Sequence, residues 1–247
     1  MRKQLAMSVE PMPAPSGPGP RRQPLPDEVA SYVRELIISG EVRPGDFLRM
    51  DRIAEAIGVS NTPVREGLLT LSNEGFVSQV PRRGFVVAPF TEQDIHDLFW
   101  AQAMLAGELA GRAAKKITPE QLARAEQIMA AYEVAYAAND KDEIADLAHA
   151  LHREINLAAD SIRLATLLGS VVKQLPTRFY ATIEGGIEAA RKEHPLIIAA
   201  LRHKDARRAK RLMELHISRD ADRLVESLKH RGIWAESPAA SLRWPPP

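Results

Sequence analysis

Two sets of side chains in this 247-residue chain have the types and spacing to do chemistry. The first is a polar turn, Ser60, Asn61, Thr62 and Arg65, which gathers two hydroxyls, an amide and a guanidinium. That is a donor and acceptor set able to read base edges and phosphates in a DNA groove. The second set is spread through the carboxyl-terminal half. Of seven histidines (His96, His149, His152, His194, His203, His216 and His230), three stand in apolar helical patterns. His152 lies beside Leu151 and Ile155, His194 precedes Pro195, and His216 follows Leu212 and Leu215. A lone histidine on a helix is ordinarily a surface or satisfied core residue. Three imidazoles from three bundle helices can instead converge on one divalent ion, leaving positions open for water or a ligand carboxylate. Cysteine chemistry is excluded, because the chain has none: no disulfide scaffold, zinc ribbon, thiol nucleophile or iron–sulfur cluster.

The polar turn needs elements to present it, and the surrounding pattern supplies them. Val29, Val33, Leu36 and Ile37 recur at helical spacing and Gly40 stops the run. After Pro44-Gly45 a short helix carries Ile53, Ala54 and Ile57 and closes at Gly58. A third helix follows, capped by Asn61 or Thr62, with Pro63 in its first turn, Val64, Leu68 and Leu71 facing inward, and Gly75 ending it. Phe76 to Val80, Pro81-Arg82-Arg83-Gly84 and Phe85-Val86-Val87 then read as a two-stranded wing with a basic tip. In a helix-turn-helix the second helix enters the major groove by its first turn, so Ser60, Asn61, Thr62 and Arg65 become base and backbone contacts. Arg82, Arg83 and Gly84 reach an adjacent groove, and Arg49 and Arg52 add backbone contacts. The segment 25–89 holds seven arginines against nine acidic residues, so it is not net basic, and a dimer must gather those arginines on one face.

From Thr91 to about Arg231 the pattern is helical. Thr91 and Asp94 form one capping-box signature, Thr118 to Gln121 a stronger one, and Asp140 and Asp205 precede further amphipathic runs. Ile144, Leu147, Leu151 and Ile155 line one face of the third of these helices, and Leu212, Leu215, Leu224 and Leu228 lie along the last. Pro195 is tolerated only in a first turn, so His194 is expected to open its helix. No strand pattern interrupts the run, which predicts an antiparallel bundle of about six or seven helices. The fold class is therefore mainly α: a winged helix-turn-helix (25–89) followed by an all-α bundle (90–234).

Residues 1–24 hold six of the eighteen prolines and form a mildly basic, disordered tail; 235–247 form a second flexible, proline-rich one. With no apolar run of about eighteen residues and no signal-peptide pattern, a soluble cytoplasmic protein without membrane contact is expected. The net charge of +1 argues against a chain that coats nucleic acid over its whole surface.

At this point the residues resemble something specific. "GVSNTPVREGL", the step "EGFV" and the wing "RRGFVV" resemble the winged helix-turn-helix of the GntR family of bacterial transcription regulators. "LHREINLAADSIRL" and "EHPLIIAALRHKDARRAKRLMELH" resemble the helical FCD domain of its FadR-type subgroup. The resemblance implies a homodimeric regulator, repressor or activator, on a palindromic double-stranded DNA operator, with affinity changed by a small molecule, often a carboxylate, in the bundle. His152, His194 and His216 occupy the positions of the FCD metal-binding histidines, which implies a divalent ion of the zinc, nickel or manganese class.

The departures shape the expectations as much as the matches. Thr62 and Arg65 match the recognition-helix pattern, whereas Asn61 stands where the family commonly has arginine, so the operator cannot be borrowed from relatives. Gly67 replaces the usual alanine, and since an interior glycine costs a helix about 1 kcal/mol, a recognition helix that is looser when free is expected. The family's fourth metal ligand, an aspartate four residues before the first histidine, is Ala148 here. His149 is the nearest substitute, about 100° away around the helix. Three arrangements stay open: three histidines with water, completion by His149, or no metal. Where relatives carry an arginine for the effector carboxylate and a glutamate four residues on, this chain has Gln102 and Ala106. The expected effector site is thus Gln102 with His152, His194 and His216, for a ligand less acidic than usual or held by the metal at its anionic end.

The leading expectation is a non-enzymatic, ligand-responsive regulator, repressor more than activator. The alternative is a metal-dependent hydrolase on the three histidines, with Glu154 or Glu193 as general base. On a regular helix each of those carboxylates projects about 100° from its neighbouring histidine, so neither need enter the cavity.

Overall fold

The computed structural model describes residues 24–174 and 185–232. The two terminal tails, apart from Pro24, lie outside these residues, as do 233 and 234. Helix α1 (Leu25–Ser39) starts on Pro24 and Pro26, carries Asp27 and Glu28 in its first turn, and ends at Gly40 with φ +79°. It buries Val29, Ala30, Val33, Ile37 and Ile38. Helix α2 (Met50–Ile57) stops at left-handed Gly58, and α3 (Asn61–Asn73) follows, with Val64, Leu68 and Leu71 fully buried. Neither Asn61 nor Thr62 caps α3. The N-cap is Ser60, whose side chain makes no capping hydrogen bond, so the exposed polar groups of this turn are not spent on the helix.

The wing is three-stranded rather than two-stranded. Strand β1 (Phe47–Leu48) pairs antiparallel with β3 (Gly84–Val87), which pairs with β2 (Val77–Val80), giving the order β1-β3-β2. Phe47 lies opposite Val86 and Ser78 opposite the same residue from the other side. Two residues are too few to show a period of two, which is why β1 is silent in the sequence. At the tip, Arg83 N–H donates to the Val80 carbonyl at 3.0 Å, and Arg82 takes φ +61° at the position where a turn favours glycine or asparagine.

Gly67 has a packing role that helix propensity does not show. A Cβ there would lie 2.7 Å from the Pro26 carbonyl oxygen and 2.8 Å from the Val29 Cβ. The glycine lets α1 seat directly on α3, and tertiary packing fixes the recognition helix that propensity alone leaves loose.

The remaining described residues form six helices: α4 (Glu92–Lys116), α5 (Pro119–Ala137), α6 (Lys141–Ala158), α7 (Ile162–Val172), α8 (Gly186–Arg202) and α9 (Ala206–His230). Both capping boxes form, at Thr91/Asp94 and Thr118/Gln121, and Asp140 and Asp205 cap α6 and α9. Helix α4 packs along α9 at Gly107, where a Cβ would run into the Glu214 side chain. The inward face of α9 runs through Met213, His216, Ile217, Ala221, Leu224 and Leu228; Leu215, expected on it, is 44% exposed. His194 does not open its helix either. Helix α8 begins at Gly186 and carries Pro195 inside it. The missing N–H removes one hydrogen bond, and burial of His194, Ile197, Ile198 and Leu201 outweighs that loss.

Candidate functional site

Three helices deliver three imidazoles to one point. His152 comes from the buried face of α6, one residue past Leu151; His194 from the middle of α8; His216 from α9 between Met213 and Ile217. Their ring edges meet: Nε2 of His194 lies 3.2 Å from Nε2 of His152 and 3.2 Å from Nε2 of His216. Ring centroids are 4.8 to 5.2 Å apart with planes crossed at 70° to 89°. His194 and His216 are 1% and 3% exposed.

The protonation chemistry suits a ligand set. Glu193 Oε2 lies 2.7 Å from His216 Nδ1, and Arg219 donates to the other carboxylate oxygen at 2.7 Å. Burial opposes the charge on Glu193, but the His216 and Arg219 hydrogen bonds hold its carboxyl at about 2. An ionised carboxylate only accepts, so His216 donates from Nδ1 and its Nε2 faces the other two rings. Burial, reinforced by the neighbouring imidazoles, pushes His152 far down and His194 down to about 3, which keeps both neutral. Three imidazoles whose Nε2 atoms converge form the donor set of a divalent cation, and among the described residues this is the cluster that could hold one.

The cluster opens on a cavity of about 440 Å³ between α4, α6, α7, α8 and α9, with Tyr132 of α5 also in its wall. Gln102 lines it as expected, 8% exposed, with Oε1 lacking a donor among the described residues. Ala106, Ala148 and His149 line it too, but His149 stands outside the three-imidazole cluster. Sequence reading missed much of the wall, including Arg153 and Asn156, which share the α6 face with His149 and His152; Tyr132, whose hydroxyl donates to the Ile187 carbonyl at 3.0 Å; and Asp220, one turn after His216. The first two were legible as i+4 neighbours of His149 and His152, and Asp220 as the i+4 neighbour of His216. Tyr132 carried no such signal. The two carboxylates a hydrolase would use are committed elsewhere: Glu193 to His216 and Arg219, Glu154 to Arg124 at 2.7 Å.

The head presents its polar residues differently. Ser60, Asn61, Thr62 and Arg65 are exposed at the amino-terminal end of α3, and Arg82 and Arg83 are exposed at the wing tip beside Gly84. The Arg83 guanidinium lies 4.4 Å from the centre of the Phe47 ring, so β1 supports the wing. Arg52 is exposed on α2, while Arg49 is engaged with Asp51 at 3.2 Å.

Comparison with known proteins fits this division. The model for bacterial regulatory proteins of the gntR family matches residues 25–87 and the FCD domain model matches 97–219. An uncharacterised HTH-type transcriptional regulator of Mycobacterium tuberculosis is 31% identical over 103 residues, a match spanning only 42% of this chain and 42% of that protein. The HTH-type transcriptional regulator McbR of Escherichia coli is 25% identical over 72% of this chain and 82% of its own length. The HTH-type transcriptional repressor RspR of Escherichia coli is 21% identical over 86% and 94%. The solved structure of Escherichia coli McbR/YncC superposes with a TM-score of 0.65 at 20% identity, covering 83% of this chain and 99% of that one, which establishes the fold. Together the head, the bundle and these matches show that the chain belongs to the GntR family of bacterial regulators, with an FCD domain behind its winged helix-turn-helix.

Proposed function

We propose that this regulator is a homodimeric repressor that binds a palindromic operator and changes its DNA affinity when a small molecule enters the FCD cavity beside a divalent cation of the zinc, nickel or manganese class. The observation that carries the reading is the convergence of His152, His194 and His216 on a ligand-sized cavity in the same chain as a winged head. In this reading Ser60, Asn61, Thr62 and Arg65 enter the major groove, Arg82, Arg83 and Gly84 the neighbouring one, and Arg49 and Arg52 meet phosphates. His152, His194 and His216 hold the cation, which supplies a positive centre for the ligand, and Gln102 meets its neutral polar part. Helix α4 supports a dimer: Trp100 and Met104, one turn apart, are 65% and 38% exposed, an apolar face suited to a second copy.

Helix α7 offers the route from cavity to head. It lines the cavity through Ala165, Leu168 and Val172, and Lys173 just past its end pairs with Asp27 of α1 at 3.4 Å. A ligand that favours one placement of α7 biases the head, and operator and ligand then change each other's affinity by the same factor. The test is fluorescence anisotropy on duplexes from the gene's own upstream region, with size-exclusion chromatography in parallel. Salt-dependent binding by a dimer is expected; a monomer indifferent to every such duplex overturns the proposal.

A further inference from the structure

Resting on the reading of the wing as a groove contact, we infer that Phe47 is a positioning residue for operator recognition: its ring holds the Arg83 guanidinium ready for the minor groove beside α3, and the preference for a narrow, A·T-rich flank depends on that ring. The wing tip carries two exposed arginines in adjacent positions, and the structure treats them differently. The Arg83 guanidinium lies 4.4 Å from the centre of the Phe47 ring. Arg82 has no ring or acidic side chain against it among the described residues. The backbone brings Arg83 and Phe47 together. In a regular strand residues two apart share a face, so continuing β3 backwards from buried Phe85 would carry Arg83 toward the core. Gly84 takes φ +99° and Arg82 φ +61°, and the break they make turns Arg83 out to the face where Phe47 stands. Phe47 is set in turn by β1, opposite Val86 of β3, and is 41% exposed, whereas its neighbour Leu48 is buried.

A phenylalanine left so open adds little to the core, but it is a platform for a planar cation. No acidic side chain pairs with Arg83 among the described residues, so the guanidinium keeps its charge and its N–H groups for an outside acceptor. A free arginine loses its rotamer freedom when a groove closes on it, and that loss subtracts from affinity. A guanidinium already resting on a ring has given up part of that freedom before DNA arrives. Narrow, A·T-rich minor grooves concentrate negative potential and draw arginine in, so the arginine whose pose is fixed in advance sets that preference.

The experiment is a double-mutant cycle on the full chain, read by fluorescence anisotropy. Its probes are the duplex of the gene's own upstream region that binds most tightly and the same duplex with the pairs beside the footprint changed to all A·T or all G·C. Phe47→Leu is expected to weaken binding about two- to fivefold, the size of an exposed cation–π contact, and to shrink the preference for the A·T flank. Its salt dependence stays that of wild type, because no charge is lost. Phe47→Tyr, which keeps a ring, restores both affinity and preference. In the Arg83→Ala background the loss caused by Phe47→Leu is expected to vanish. A loss that persists there marks a purely structural role for Phe47 and overturns the inference, as do unchanged or tighter binding by Phe47→Leu and an undiminished A·T preference. The two readings fail separately. If wild type binds no upstream duplex, the reading of the head falls and takes the inference with it; if wild type binds and the cycle is additive, only the inference falls.

Discussion

The winged head and the bundle cavity solve opposite problems with the same kinds of residue. In the head, Ser60, Asn61, Thr62 and Arg65 lie within six residues of sequence, exposed, and the side chain of the N-cap Ser60 makes no capping hydrogen bond. In the bundle, His152, His194 and His216 are drawn from helices 42 and 22 residues apart, and their ring edges turn on one another. A surface that meets an outside polyanion must keep its donors free. A site that encloses something small must hold its donors in place, and here Glu193 and Arg219 lock His216 from behind.

Variants can break that contrast at either end. The largest effect is expected in the bundle: His194→Ala removes the imidazole that touches both others and lowers cation affinity more than about 100-fold, beyond the loss from an outer-sphere change. Elemental analysis of untagged protein reads this directly, and the ligand-free affinity of the head for DNA stays as it was. Retention of a full equivalent of metal would place the site elsewhere.

Next comes the head. Arg65→Ala is expected to weaken operator binding by about 1–3 kcal/mol with little change in fold, while Arg83→Ala lowers the dependence on log salt by about one unit. Anisotropy across a salt series distinguishes the two; an unchanged affinity in Arg65→Ala means that α3 does not enter the groove.

Gly67→Ala sharpens the comparison inside the head. Helix propensity predicts a gain of about 1 kcal/mol, whereas the 2.7 Å approach of Pro26 predicts an overpacking cost of about 1–3 kcal/mol. A lower urea midpoint is expected, and a higher one contradicts the α1–α3 contact.

The smallest effect is one of pH. Burial holds His194 at about 3 and pushes His152 down as well, so the native metal-free protein refuses protons that the unfolded chain accepts below about 6.5. Stability therefore declines as pH falls from 7 to 5, and the His194→Gln variant declines less steeply. Parallel Tm curves for the two proteins would show that His194 is not held neutral.

Much of the head was legible because its signals are local. Gly40, Gly58 and the inward positions Val64, Leu68 and Leu71 act within a turn or two of chain, and the family motif spans the same residues. Strand β1 was not legible, because its meaning lies in pairing with β3 across nearly forty residues of chain. In the bundle the three histidines stood out by type and by their apolar neighbours. The place of Pro195 inside α8, the exposure of Leu215 and the commitment of Glu193 depended on which face each helix turned inward.

By itself the sequence determined most of the helices, the caps of α4, α5, α6 and α9 and the family, since propensity, periodicity and hydrogen-bond capping are properties of neighbouring residues. The tertiary structure alone decided that Gly67 is a packing contact, that His149 stays out of the cluster, and that Glu193 stands behind His216. Those outcomes rest on distances between segments far apart in the chain, which no local pattern encodes.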